Sequence, residues 1–143
     1  MTNRQPDFLS GPTSNGIIVS LVNGEPSVRH GRQIMLRSEN YHVRSYATCA
    51  ALLTDQRSRD CPCIVLDVEM ETDDGMSLLR QMRATGWRGK AVLLYRNQPA
   101  SELQEEVERQ GDTLLARTIP NRLLVAAIAA SADCDWHGRI AEI

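Results

Sequence analysis

Short apolar runs alternate along the chain with segments whose apolar residues recur every three or four positions. Ile17-Ile18-Val19-Ser20-Leu21-Val22 reads as a buried strand that stops at the turn signal Asn23-Gly24. Pro26 suits the first turn of a helix, and Glu25 before it suits the helix dipole. That helix runs to about Ser38, with Val28, Met35 and Leu36 among its core positions. Tyr41 to Tyr46 alternates as a second strand, and Thr48 is placed to cap a helix holding Ala50, Ala51, Leu52 and Leu53. Cys63 to Val68 is the most strand-like stretch. It ends in an acidic segment, Glu69 to Gly75, after which Met76, Leu79 and Met82 mark a helix face ending near Gly86. Ala91 to Tyr95 is a fourth strand, and Ala100 to Gln110 a Glu-rich helix closed by Gly111. Thr113 to Ala116 is a short fifth strand, and Pro120 to Ser131 an apolar helix.

Strands alternating with helices across short loops predict a parallel sheet with helices on both faces. Five such units fit an α/β, flavodoxin-like, doubly wound five-stranded sheet, the (βα)5 arrangement. In sheets of this kind the chemistry sits at the carboxyl ends of the strands. That directs attention to Asn23, Gly24 and Glu25 after the first strand, Asp67 at the end of the third, Tyr95 closing the fourth and Arg117 closing the fifth. The domain is expected over residues 17–131, with a flexible arm over 1–16 and a tail, or the start of a linker, over 132–143. In the arm, Phe8 and Leu9 remain possible docking residues.

Composition narrows the function. The formal charge is −2 and aromatic residues make up 4% of the chain, so these residues show neither a basic footprint nor a base-stacking platform for nucleic acid. No apolar run approaches the roughly 20 residues a membrane-spanning helix needs, and the polar N-terminus lacks the apolar stretch of a signal peptide. A cytoplasmic location with reduced thiols is therefore the expectation. Of the four cysteines, Cys61 and Cys63 are spaced C-x-C, which is not the spacing of a zinc ribbon. They read as small buried hydrophobes.

Two stretches resemble a bacterial response-regulator receiver domain. They are Val22-Asn23-Gly24-Glu25-Pro26-Ser27-Val28-Arg29, and Cys63-Ile64-Val65-Leu66-Asp67-Val68-Glu69-Met70 continuing through Asp73-Asp74-Gly75-Met76 into Leu78-Leu79-Arg80. Leu114 to Ile119 resembles that family's last strand and loop. The resemblance covers about Ile17 to Ser131. It implies that Asp67 is the phosphoacceptor position, phosphorylated in the family by a histidine kinase with Mg²⁺ held by an acidic pair after the first strand. It also implies a lysine after the fifth strand and a Ser or Thr after the fourth.

The chain departs from that apparatus elsewhere. The acidic pocket is degenerate: Asn23 and Gly24 stand at the acidic pair, followed by Glu25. Tyr95 and Leu114 stand at the switch positions, and Arg117 at the lysine position. Mg²⁺ remains possible but weakened, with Asp67 and Glu25 as ligands if it binds; Asp73 and Asp74 could add to such a site but read first as loop and helix-start residues, favoured by the helix dipole. Arginine's planar fork suits a carboxylate, so an Asp67–Arg117 ion pair is expected to replace the metal-centred network.

The expected function is a signal-transduction receiver that acts by protein contact, with weak or no Mg-dependent phosphorylation at Asp67, and not an enzyme. The alternative is a working phosphoacceptor controlling a DNA-binding output outside this chain. The chain is then either a stand-alone regulator or part of a longer one. An aspartyl-nucleophile phosphatase is a distant alternative, and a cofactor module of the same fold lacks a Gly-rich phosphate loop. Expected partners are a histidine kinase or another signalling protein, and a second copy. The last helix is apolar nearly all round, which marks Leu123, Leu124 and Ile128 as interface candidates. The glutamates of the fourth helix read first as a solvated face, and could pair with Arg122 across such a dimer.

Overall fold

The computed structural model describes residues 16–68 and 75–141, with the side chains of the last helix described through Ala132. Five strands, β1 (Ile18–Val22), β2 (His42–Tyr46), β3 (Cys63–Asp67), β4 (Lys90–Tyr95) and β5 (Thr113–Ala116), form one parallel sheet in the order β2-β1-β3-β4-β5. The helices are α1 (Pro26–Ser38), α2 (Cys49–Thr54), α3 (Gly75–Ala84), α4 (Ser101–Gln110) and α5 (Asn121–Ala141), with a 3-10 turn over Gln56–Asp60 between α2 and β3. This is the doubly wound α/β arrangement the hydrophobic pattern predicts. The 3-10 turn was not legible in that pattern. The last helix also runs on to Ala141 rather than stopping near Ser131, because no proline breaks it.

Period-two alternation divides the strands between two cores. Val19, Leu21, Cys63, Val65, Val92 and Leu94 pack under α1 and α5 through Leu36, Leu124 and Ile128. Ile64, Leu66, Ala91 and Leu93 pack on the opposite face against Leu52 of α2, Met76, Leu79 and Met82 of α3, and Val107 of α4. Cys49, Cys61 and Cys63 are buried free thiols, and burial pushes the Cys61 thiol above its ordinary pKa. Side-chain contacts of Cys134 lie outside the described residues.

Local chemistry fixes the element ends. Thr48 Oγ1 accepts from the N–H of Ala51 at 3.1 Å and so caps α2. Gly111 closes α4 at φ +77, and a Cβ there would come within 2.9 Å of Lys90 Nζ. Trp87 is buried and its Nε1 donates to the Cys61 carbonyl at 2.8 Å. It leaves no room at Gly89, where a Cβ would lie 2.6 Å from the indole and 2.7 Å from the Pro62 carbonyl oxygen.

Two ion pairs brace the body of the domain. Asp112, whose side chain is fully buried, accepts from Arg83 Nη1 at 2.9 Å, from Arg83 Nη2 at 2.8 Å and from the N–H of Ala91 at 2.9 Å. At the β2 edge, Tyr46 Oη donates to Asp55 at 2.7 Å and Arg57 holds the same carboxylate with two bonds. Burial, then the Asp55 bond, push the Tyr46 phenol up to about 12. Arg57, then Tyr46, hold Asp55 well below the usual carboxylate range.

Candidate functional site

The alternation that sends Cys63 and Val65 toward α1 and α5 gives Asp67 the same side, and the step from Val19 to Leu21 gives it to Asn23. Val22 pairs with Leu66 in register, so Asn23 and Asp67 follow as neighbours at the carboxyl edge. Both are buried, at 1% and 8% exposure. Asn23 Nδ2 donates to Asp67 Oδ2 at 2.8 Å. Asn23 Oδ1 accepts the N–H of Glu25 at 2.7 Å, an Asx turn that starts α1.

A helix that returns from a parallel strand begins at the strands' carboxyl edge. The first turns of α1 therefore lie beside Asp67. Arg29 Nη1 donates to the Asn23 carbonyl at 2.7 Å, and Arg32 Nη1 reaches Asp67 Oδ1 at 3.4 Å. The Arg32 and Asp67 side chains are each 12% exposed, so this pair is largely withdrawn from water. Each oxygen of Asp67 thus faces a protein donor, an amide on one side and a guanidinium on the other.

The expected Asp67–Arg117 ion pair does not form. Arg117 Nη2 instead donates to Glu25 Oε1 at 3.2 Å, and Arg96 Nη2 lies 3.9 Å from Glu25 Oε2. The reason is competition: the Asx turn fixes Glu25 where its carboxylate meets Arg117, while Arg32 already serves Asp67. Since β3 lies between β1 and β5, the Glu25–Arg117 tie spans the end of β3. Gly24 is exposed and supplies no side chain.

The other expected positions are placed as follows. Tyr95 is half-buried, and its carbonyl accepts from the N–H of Arg117 at 2.9 Å. Leu114 packs against the α2–α3–α4 core. Leu124 and Ile128 are not interface residues but sheet-facing core, at 3% and 0% exposure. They recur at i and i+4 and form the helix's inward stripe. Leu123 alone of the three faces out, at 43%. The acidic stretch with Asp73 and Asp74 lies outside the described residues.

Arg32 is the contact of Asp67 that reading by strand ends missed. A signal for it exists: Val28, Met35 and Leu36 mark the inner stripe of α1, and Arg32 falls on that stripe at i+4 from Val28. A charged residue there must find a partner at the sheet edge.

The family model described as the response regulator receiver domain matches residues 19–129. The chain belongs to that family. This receiver is 25% identical over 113 residues to the transcriptional regulatory protein FixJ of Azorhizobium caulinodans, covering 79% of this chain and 54% of FixJ. It is 35% identical over 66 residues to the C4-dicarboxylate transport transcriptional regulatory protein DctR of Rhodobacter capsulatus, covering 46% of this chain and 34% of DctR. The chain therefore spans about half the length, or less, of these two relatives. A CheY-like receiver domain from Methanospirillum hungatei shares the fold at TM-score 0.76 and 15% identity, covering 87% of this chain and 99% of that one. The response regulator StyR does so at TM-score 0.78 and 22% identity, covering 89% of this chain and 64% of StyR.

Receivers of this family use Mg²⁺, which demands hard oxygen ligands. Among the described residues the donor set does not fit such an ion. Asn23 turns a nitrogen toward Asp67, Gly24 offers nothing, Glu25 is tied to Arg117, and a guanidinium stands against Asp67 Oδ1. No group of three or more His, Cys, Asp or Glu residues suited to a metal occurs among the described residues. No helix there is long and apolar enough to cross a membrane.

Proposed function

We propose that this receiver passes its signal by protein contact, with Mg²⁺-dependent phosphorylation of Asp67 weak or absent. The observation that carries the reading is that both oxygens of Asp67 are engaged, by Asn23 at 2.8 Å and by Arg32 at 3.4 Å. A receiver aspartate must meet an incoming phosphoryl group with a free oxygen and with cations that offset the gathering negative charge. Here one positive group is spent on the resting carboxylate, and Arg117 is spent on Glu25.

Tyr95 and Leu114 extend the same reading. A threonine-sized hydroxyl that follows a phosphoryl oxygen is replaced by a phenol, and the fifth-strand aromatic by an aliphatic side chain. The two-state element those residues make in the family is absent from this pair. What is left to signal is surface: a histidine kinase or other signalling protein as partner, and a second copy over the face of α5 that exposes Leu123. The transcriptional regulatory proteins matched are longer than this chain, which favours a role beside a DNA-binding output, with residues 17–131 as the signalling domain and a cytoplasmic setting.

The test treats the protein with Mg²⁺ and acetyl phosphate or beryllofluoride, beside Asp67→Ala. No phosphoryl mass gain and no beryllofluoride-dependent spectral change is the expected result. An Asp67-dependent mass gain that requires Mg²⁺ would favour the second reading, a working phosphoacceptor, which the intact Asp67 at the end of β3 supports.

A further inference from the structure

Arg32 deepens this reading. Its guanidinium is largely buried, yet the polar contact it makes among the described residues is a single long one, to Asp67 Oδ1. It reaches that oxygen from the inner stripe of α1, where Leu36 packs in the core one turn further along. Arg29, three residues earlier, pins the carbonyl of Asn23 at 2.7 Å and so fixes the segment that carries the amide. Position 23 and position 32 act on opposite oxygens of one carboxylate.

We infer that Arg32 is the resident counter-ion of Asp67. It holds the electrostatic place of a divalent cation, so the pocket keeps its charge balance without a metal ion. The inference rests on the contact-signalling reading above. Its physical basis is that a carboxylate withdrawn from water needs a positive partner, and that a guanidinium on the same oxygen repels a second cation. Asn23 completes the arrangement: an amide nitrogen can donate to Asp67, whereas a carboxylate there would repel it. Taking away Arg32 while giving position 23 a carboxylate therefore turns the pocket from one that excludes cations into one that binds them. Arg32 is in this sense a positioning residue, acting through Asp67.

The experiment titrates Mn²⁺ into the full chain and reads free Mn²⁺ by electron paramagnetic resonance. Wild type is compared with Arg32→Gln, Arg32→Lys, Asn23→Asp and the Asn23→Asp/Arg32→Gln double variant, with circular dichroism melts confirming the fold. Wild type and Arg32→Lys are expected to show no saturable site. The double variant is expected to show a saturable site with a dissociation constant of about 0.1–1 mM, as weak oxygen-ligand sites do, at least about tenfold tighter than Asn23→Asp. A further Asp67→Asn change should abolish that binding. A folded double variant that binds no better than Asn23→Asp alone overturns the role of Arg32 and leaves the contact-signalling reading standing. Wild type that binds Mn²⁺ through Asp67 overturns both. If the double variant does not fold, Arg32→Gln alone decides: tighter binding than wild type supports the inference, and unchanged binding overturns it.

Discussion

Asp112→Ala removes the most deeply buried ion-paired carboxylate among the described residues, at the sheet edge opposite Asp67. Asp112 has no exposed side-chain surface and accepts three hydrogen bonds, two of them from Arg83. Breaking a buried ion pair by removing one partner costs about 3–5 kcal/mol. The orphaned N–H of Ala91 adds to that cost by about 1–3 kcal/mol. Arg83 recovers part of it, because its side chain is 19% exposed, it still donates to the Gly89 carbonyl at 3.2 Å, and it lies 5.0 Å over the Trp87 ring. The net loss should be about 3 kcal/mol, or about 10–15 °C in Tm for a domain of this size. Asp112→Asn keeps an acceptor for Ala91 and should lose roughly half as much, since hydrogen bonds to charged groups are worth about 1.5–3 kcal/mol. Urea unfolding followed by far-UV circular dichroism would show a lower midpoint at an unchanged slope. A double-mutant cycle with Arg83→Met should return a coupling of about 2 kcal/mol. An Asp112→Ala loss under about 1 kcal/mol, or a coupling near zero, would refute the assignment of this pair as a brace.

Other outcomes follow from the same structure. Gly89→Ala should cost at least about 1–3 kcal/mol by the cost of overpacking, because its Cβ would meet the indole and the Pro62 carbonyl oxygen; a thermal melt measures it. Tyr46 should ionise near pH 12 in a titration at 295 nm, and Asp55→Asn should bring it part-way back, because burial is the larger cause. Its folded pKa is raised, so the stability it contributes is complete below about pH 10. That stability is lost as pH rises toward 12. Asp55 runs the other way: its pKa is lowered by Arg57 and Tyr46, so its contribution is present above about pH 4 and fades as the solution is acidified. Asp55→Asn should flatten the acid limb of the stability curve. Cys61 should resist alkylation at pH 8 until the chain unfolds, as peptide mapping by mass spectrometry would show, because burial keeps it a thiol.

The sheet and its helices were legible because the strands carry short apolar runs or, in β2, an alternation, and the helices a stripe, signals that depend on burial. The site was legible as far as single positions go: Asn23, Glu25, Asp67, Tyr95 and Arg117 all lie at the strands' carboxyl edge or just beyond it. Their pairing was not legible. Arg117 and Arg32 are chemically equivalent partners for Asp67, and only the folded geometry gives Arg117 to Glu25 and Arg32 to Asp67. The α5 stripe misled for a related reason. An apolar helix does not announce which of its sides meets the sheet, and Leu124 and Ile128 proved to be that side. The 3-10 turn escaped because Ser58 anchors it through one bond to the Leu52 carbonyl, a contact without periodicity.

The Glu25–Arg117 tie joins residues 92 positions apart in the sequence. A contact of that span is favoured once the strands between its ends have paired, since their pairing has by then met the entropy of closing the loop. The tie is therefore a late event in folding, and its loss an early one in unfolding. Substitutions at Glu25 or Arg117 should leave the folding rate nearly unchanged and speed unfolding. The tie across the end of β3 is then finished last, after the scaffold that holds it, and a nascent chain lacks it until β5 has been added to the sheet.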